Sequence, residues 1–132
     1  MSQENVEIVR RILDSWAKGD FREGVDDFDP YVSYIVRPPL AGPTARVGPE
    51  EIRNYMREFL RQWVGYVIEA KELQRFGDTV LASAVWRAAG RRTGIHTEAS
   101  FFILFTFRGR SIVRMEFIVD KDEVLEAIGL SE

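Results

Sequence analysis

The chain reads as a single α+β domain, residues 1–132, in which helices pack over a strongly curved, mixed but mainly antiparallel sheet and leave a central pocket. Three observations predict this. Apolar residues recur at helical spacing in the first half. After Gly65 the period changes, and four long extended segments follow one another across Gly-containing breaks. A short capped helix then closes the chain.

Bulk properties narrow the function classes. With 132 residues the chain fits one domain with a real core. An apolar share of 45% beside 30% charged residues is that of a globular protein, so global disorder is excluded. A net charge of −3 gives no long-range attraction for nucleic acid or anionic lipid. The absence of cysteine excludes a disulfide framework, a thiolate nucleophile and a cysteine-ligated metal, and a lone histidine is too little for a metal site. No cofactor is expected. The start, Met1-Ser2-Gln3-Glu4-Asn5, shows no basic segment followed by an apolar run. The longest apolar stretch, Ala99 to Phe107, is interrupted by Ser100 and Thr106 and falls short of a membrane span. A cytoplasmic location is expected.

The elements follow in order. Val6, Val9, Leu13 and Trp16, widened by Ile8 and Ile12, form the stripe of a first helix; Ser2 caps it, and Lys18-Gly19 stops it. A second short helix is expected from Asp20, with Glu23 as capping-box partner, Phe21, Val25 and Phe28 as its apolar face, and Asp29-Pro30 as its end. Tyr31 to Arg37 reads as a strand running into Pro38-Pro39, and Ala41 to Gly48 as loop. Pro49, Glu50 and Glu51 open a third helix, whose stripe is Ile52, Tyr55, Met56, Phe59, Leu60 and Trp63. The extended segments are Tyr66–Phe76, Thr79–Ala89, Ile95–Phe107 and Ser111–Val119, long enough that they must twist and bend. Asp120 and Glu123 make a last capping box before Val124, Leu125 and Ile128, and Gly129 ends that helix.

Several short motifs stand out in this frame. They are the opening Met1 to Arg11, Trp16 followed by Lys18-Gly19-Asp20-Phe21, Asp29-Pro30 before the first strand, Gly48-Pro49-Glu50-Glu51-Ile52-Arg53, Gly77-Asp78, and Asp120 to Leu130. In this order and spacing, over nearly the whole length, the chain resembles the SnoaL-like members of the nuclear transport factor 2-like superfamily, which includes ketosteroid isomerase. The resemblance implies a conical α+β barrel enclosing a pocket. It does not imply a reaction, because function does not transfer with fold.

The known chemistries of that superfamily are tested residue by residue. Ketosteroid isomerases use a Tyr and two Asp; the matching positions look like Ile12, Val36 and Ile103, which can neither move a proton nor hold an oxyanion. Limonene-epoxide hydrolase-like enzymes use Asp, Arg and Asp; Ala84, Trp86 and Phe117 look like their counterparts and carry no ionisable group. Scytalone dehydratase-like chemistry needs more histidine than this chain has. No catalytic residue is assigned. Strand alternation under the same alignment turns Ala82, Ala84, Trp86, Ala88, Met115, Phe117 and Val119 toward the pocket. The residues expected to bind a small hydrophobic molecule are Trp16, Phe28, Tyr34, Val36, Tyr55, Phe59, Trp86, Met115 and Phe117. Aromatic residues at core spacing also serve as plain core, so a purely structural module stays open. So does an isomerase, polyketide cyclase or epoxide hydrolase-type enzyme with non-standard groups such as Tyr34, Tyr55 or His96.

His96 and Glu98 share one strand face near Arg87 and Arg91, and parity turns them away from the pocket. A bulge in that strand would reverse this. Arg91-Arg92, Arg108 and Arg110 read as solvated turns. Phe101 to Phe105 is apolar on both faces, so Phe102, Leu104 and Ile118 project from the outer side. A homodimer through that outer face is expected, with Arg114 and Glu116 pairing across it.

Overall fold

The computed structural model describes residues 2–22, 25–38, 40 and 46–129. Helix α1 (Ser2–Trp16) carries the expected stripe: Val9 and Ile12 are fully buried, and Leu13 and Trp16 nearly so. Each such side chain contributes about 1.5–3 kcal/mol of transfer free energy. The expected caps at Ser2 and Glu23 lie outside the described side chains.

Among the described residues the second helix expected from Asp20 is absent: a single 3₁₀ turn, Val25–Asp27, stands there, and Phe28 already belongs to strand β1 (Phe28–Val36). Asp20 folds back on its own chain instead, with Oδ1 accepting from the Arg22 backbone N–H at 3.1 Å. Phe28 is claimed by the sheet, where it sits opposite Ile112. Between Phe28 and Ser33 the pairing shifts, across Pro30, which has no N–H to give a ladder. The stretch expected as loop before Gly48 contains a two-residue strand, β2 (Arg46–Val47), paired antiparallel with Ser33 and Tyr34.

Helix α2 (Pro49–Leu60) begins where Pro49 and its acidic neighbours predict. It ends three residues before Trp63, which the helical spacing had included. Trp63 opens strand β3 (Trp63–Phe76) instead. Arg91 holds this exit: its Nε donates to the Arg61 carbonyl at 2.8 Å, its Nη2 to the Trp63 carbonyl at 3.1 Å, and its backbone N–H to the Gln62 carbonyl at 3.0 Å. An arginine expected to be solvated is thus a fastener between the turn it occupies and the helix end.

Strands β4 (Thr79–Gly90), β5 (His96–Arg108) and β6 (Ser111–Ile118) complete one six-stranded sheet of order β2-β1-β6-β5-β4-β3. All neighbours are antiparallel except β1 and β6. The sheet ends on β2 and β3 and is not closed. Gly77, at φ +63°, makes the tight β3–β4 hairpin that a residue with a Cβ resists. Register shifts between Val64 and Val67 and between Ala70 and Glu72 bend β3.

The sheet sorts the core into two layers. On the inner face Ala82, Ala84, Phe101, Ile103, Phe105, Met115 and Phe117 meet the apolar sides of α1 and α2. On the outer face Leu81, Leu104 and Ile118 meet Val124 of helix α3 (Lys121–Ala127). Asp120 caps α3 by accepting from the Asp122 N–H at 3.0 Å, one residue earlier than the expected capping box. Among the described residues no helix is long and apolar enough to cross a membrane.

Candidate functional site

A cavity of about 150 Å³ lies between the inner sheet face and the two long helices. All nine side chains expected at the site line it. Trp16 comes from α1, Tyr34 and Val36 from β1, Tyr55 and Phe59 from α2, Trp86 from β4, Met115 and Phe117 from β6, and Phe28 from the start of β1. Trp86 faces inward because the β4–β5 ladder runs without a bulge from Thr79–Thr106 to Ala89–His96, so alternation holds along its length.

The rings form a nearly continuous arc. Phe101 stacks on Phe117 at 6.1 Å between centroids, Phe117 meets Tyr34 at 4.9 Å, and Tyr34 meets Tyr55 at 5.6 Å. Tyr55 leads to Phe59 at 5.9 Å, Phe59 to the edge of Tyr66 at 5.1 Å, and Tyr66 stacks on Trp86 at 5.6 Å. Trp63 closes the arc edge-on against Trp86 at 5.5 Å. Tilted and edge contacts of this kind each add about 0.5–1.5 kcal/mol beyond area burial and fix the rings relative to one another.

The polar groups of the wall are few. All three tryptophans of the chain line the cavity, and each has a buried indole Nε1–H that meets no hydrogen-bond acceptor among the described residues. The Tyr34 hydroxyl reaches only the Met56 Sδ, at 3.5 Å, a weak acceptor. Burial pushes the Tyr34 phenol well above its ordinary value, and Tyr55 and Tyr66 nearby add to the shift. Burial also raises Tyr66, with Tyr55 adding to it, and Tyr55, where Arg46 opposes the rise. Among the described lining residues there is no carboxylate and no imidazole. The wall is uncharged at neutral pH and offers hydrogen-bond donors in excess of acceptors.

The positions tested against the superfamily enzymes all lie on the inner side: Ile12, Val36, Ile103, Ala84, Trp86 and Phe117 belong to the buried inner cluster or pack against it. His96 and Glu98 are exposed on the opposite face. Glu98 pairs there with Arg87 at 3.3 Å, and Arg87 also bridges to Glu69. Among the described residues no cluster of metal-ligating side chains occurs.

Sequence reasoning missed Phe21, Trp63, Tyr66, Ile68 and Phe101, among other lining residues. Ile68 sits opposite Trp86 in the ladder, and counting back by two from it leads to Tyr66. Trp63 lies beyond the register shift between Val64 and Val67, across which alternation does not carry.

On the outer face the dimer expectation meets a different surface. Leu104 and Ile118 are buried in the chain's own layer under α3, because Val124 and Ile128 seat on them. Phe102 stays half-buried at the border of that layer. Arg114 and Glu116 pair within β6 at 3.3 Å, and the nearly buried Glu116 also accepts from Arg37 Nε at 2.6 Å.

The SnoaL-like domain family matches residues 9–115. An NTF2-like protein from Burkholderia thailandensis is 25% identical, with a TM-score of 0.77, covering 94% of this chain and 96% of its own. A candidate SnoaL-like polyketide cyclase from Jannaschia is 19% identical, with a TM-score of 0.76 and coverage of 99% and 95%. A protein of ketosteroid isomerase-like fold from Catenulispora acidiphila, solved with trimethylamine, is 19% identical, with a TM-score of 0.72 and coverage of 95% and 94%. These last two likenesses carry the fold alone. No curated protein matches the sequence.

Proposed function

The chain belongs to the SnoaL-like domain family, and from that premise we propose that it binds a small apolar ring compound in the cavity between its sheet and helices. The observation that carries this reading is the wall itself: aromatic on nearly every side, uncharged, and studded with indole N–H groups that meet no acceptor among the described residues. Buried donors without partners are costly, at about 1–3 kcal/mol each. A ligand with acceptor atoms, such as a carbonyl or ether oxygen, relieves that cost. Size sets the class: an apolar cavity of about 150 Å³ takes a benzene-sized molecule. The ligand is therefore a single ring with short substituents.

An isomerase, cyclase or hydrolase working with unusual groups has weaker support. Tyr34 and Tyr55 are its remaining candidates inside the wall, and phenols held neutral serve as donors rather than as bases.

Because every tryptophan lines the cavity, intrinsic fluorescence reports occupancy. Titration with p-cresol is expected to change tryptophan emission saturably, and Val36→Phe, which fills the cavity, is expected to abolish the change while leaving the circular dichroism spectrum intact. A linear, unsaturable response in the wild-type protein refutes the reading.

The proposal includes a cytoplasmic protein that pairs through the part of the outer sheet face left uncovered by α3, where Phe102 sits opposite Ser83. Sedimentation is expected to give a dimer for the wild type and a monomer for Phe102→Glu; an unchanged mass refutes this placement.

A further inference from the structure

A second, wider cavity of about 560 Å³ adjoins the aromatic one, and Phe21, Phe28, Ile52 and Met56 line both. Its remaining wall has a different character. Lys18, Arg22, Arg53 and Arg57 surround it, against a single described acid, Asp20. In a chain of net charge −3 this local excess of cations runs against the background. Asp20 is already engaged by Arg22, at 3.3 Å. Arg57 donates to the neutral Asn54 Oδ1 at 3.1 Å, and Lys18 and Arg53 make no ion pair among the described residues. Like charges four residues apart on a helix, as at Arg53 and Arg57, are mildly destabilising, so helix stability does not account for the pair. Helix α2 thus carries two parallel rails. Ile52 and Met56 border both cavities, and Arg53 and Arg57 border only the outer one.

We propose that the outer cavity receives the carboxylate of an amphipathic ligand whose ring occupies the inner one. Guanidinium groups match a carboxylate in shape as well as in charge, and two of them at helical spacing can share its oxygens. The ligand class is an aromatic carboxylic acid with a short aliphatic linker. Phe21, Phe28, Ile52 and Met56 flank that linker as it passes from one cavity to the other.

This inference rests on the binding reading above and is separable from it. The probes are 4-phenylbutyrate and 4-phenylbutan-1-ol, which share ring and linker and differ in the charged head, titrated against wild type and Arg53→Gln/Arg57→Gln by tryptophan emission. The acid is expected to bind about three- to tenfold more tightly than the alcohol, as a few partly exposed charge contacts allow. That preference is expected to shrink as NaCl rises from about 20 mM to about 500 mM, because screening shortens the reach of the arginines. The double variant is expected to bind acid and alcohol alike, with its affinity for the alcohol unchanged. Equal affinities in the wild type, or a preference that survives the double substitution, overturn the carboxylate site and leave the apolar cavity standing. Failure of both probes to bind overturns both.

Discussion

Phenols buried in a wall without charge have a consequence that can be titrated. Tyr34 and Tyr66 lose hydration on folding, so their ionised forms are disfavoured and their folded-state pKa values lie above the unfolded value of about 10. The sign follows from linkage. The stability these residues contribute is fully present below pH about 10 and declines as pH rises toward their folded values, because the unfolded chain ionises first. Absorbance at 295 nm is expected to show Tyr34 still protonated in the native protein at pH about 10.5, with Tyr34→Phe removing part of the alkaline loss of stability in urea titrations. A Tyr34 that ionises in the native state near pH 10 contradicts its placement inside the wall. At this scale the sequence was readable where alternation ran unbroken. Trp86, Met115 and Phe117 could be assigned inward from alternation read under the family alignment; the β4–β5 ladder keeps that parity for Trp86, and Met115 and Phe117 stand opposite the inward Phe105 and Ile103. Arg91 could not, because its partners are backbone carbonyls about thirty residues away, and no pattern of side chains records them.

Helices and hairpins were legible for the reasons that make them form. The stripe of α1, Pro49 at the start of α2 and Asp120 before α3 are local signals, and each marks the element it predicts. Two failures share one cause. Phe28 and Trp63 both fit a helical spacing, yet each was drawn into a strand by a partner distant in sequence: Phe28 by Ile112, Trp63 by Gly90. Tertiary pairing outweighs local periodicity at such ends. Helix α3 shows the converse, a short element held by what it covers. Val124 is about 1% exposed against Leu81, Leu104 and Ile118. Val124→Ala is expected to lower the unfolding free energy by about 1.5–2.5 kcal/mol in chemical denaturation, the transfer of two methyl groups plus a residual void. A change below about 0.5 kcal/mol would mean that α3 is only loosely seated on the sheet.

For the molecule as a whole, the sheet order β2-β1-β6-β5-β4-β3 places the one parallel pair beside the cavity, with Tyr34 and Val36 of β1 level with Met115 and Phe117 of β6. Sequence order does not reveal that pairing, because the two strands stand at opposite ends of the chain. The resemblance in motifs supplied the cone, whereas the size of the cavity and the basic groove next to it depend on side-chain packing that motifs do not record. The outer face was the part least legible: alternation placed Phe102, Leu104 and Ile118 on one side correctly, but it could not show that α3 returns to cover two of them. The central claim is that the interior is an open, largely apolar cavity rather than solid core. A crystal of the protein pressurised with xenon tests it most directly, since xenon enters apolar voids of this size without needing a specific partner. The account predicts xenon density bounded by Tyr34, Phe59, Trp86 and Phe117. Density at no internal site, with those rings closed on one another, would contradict it.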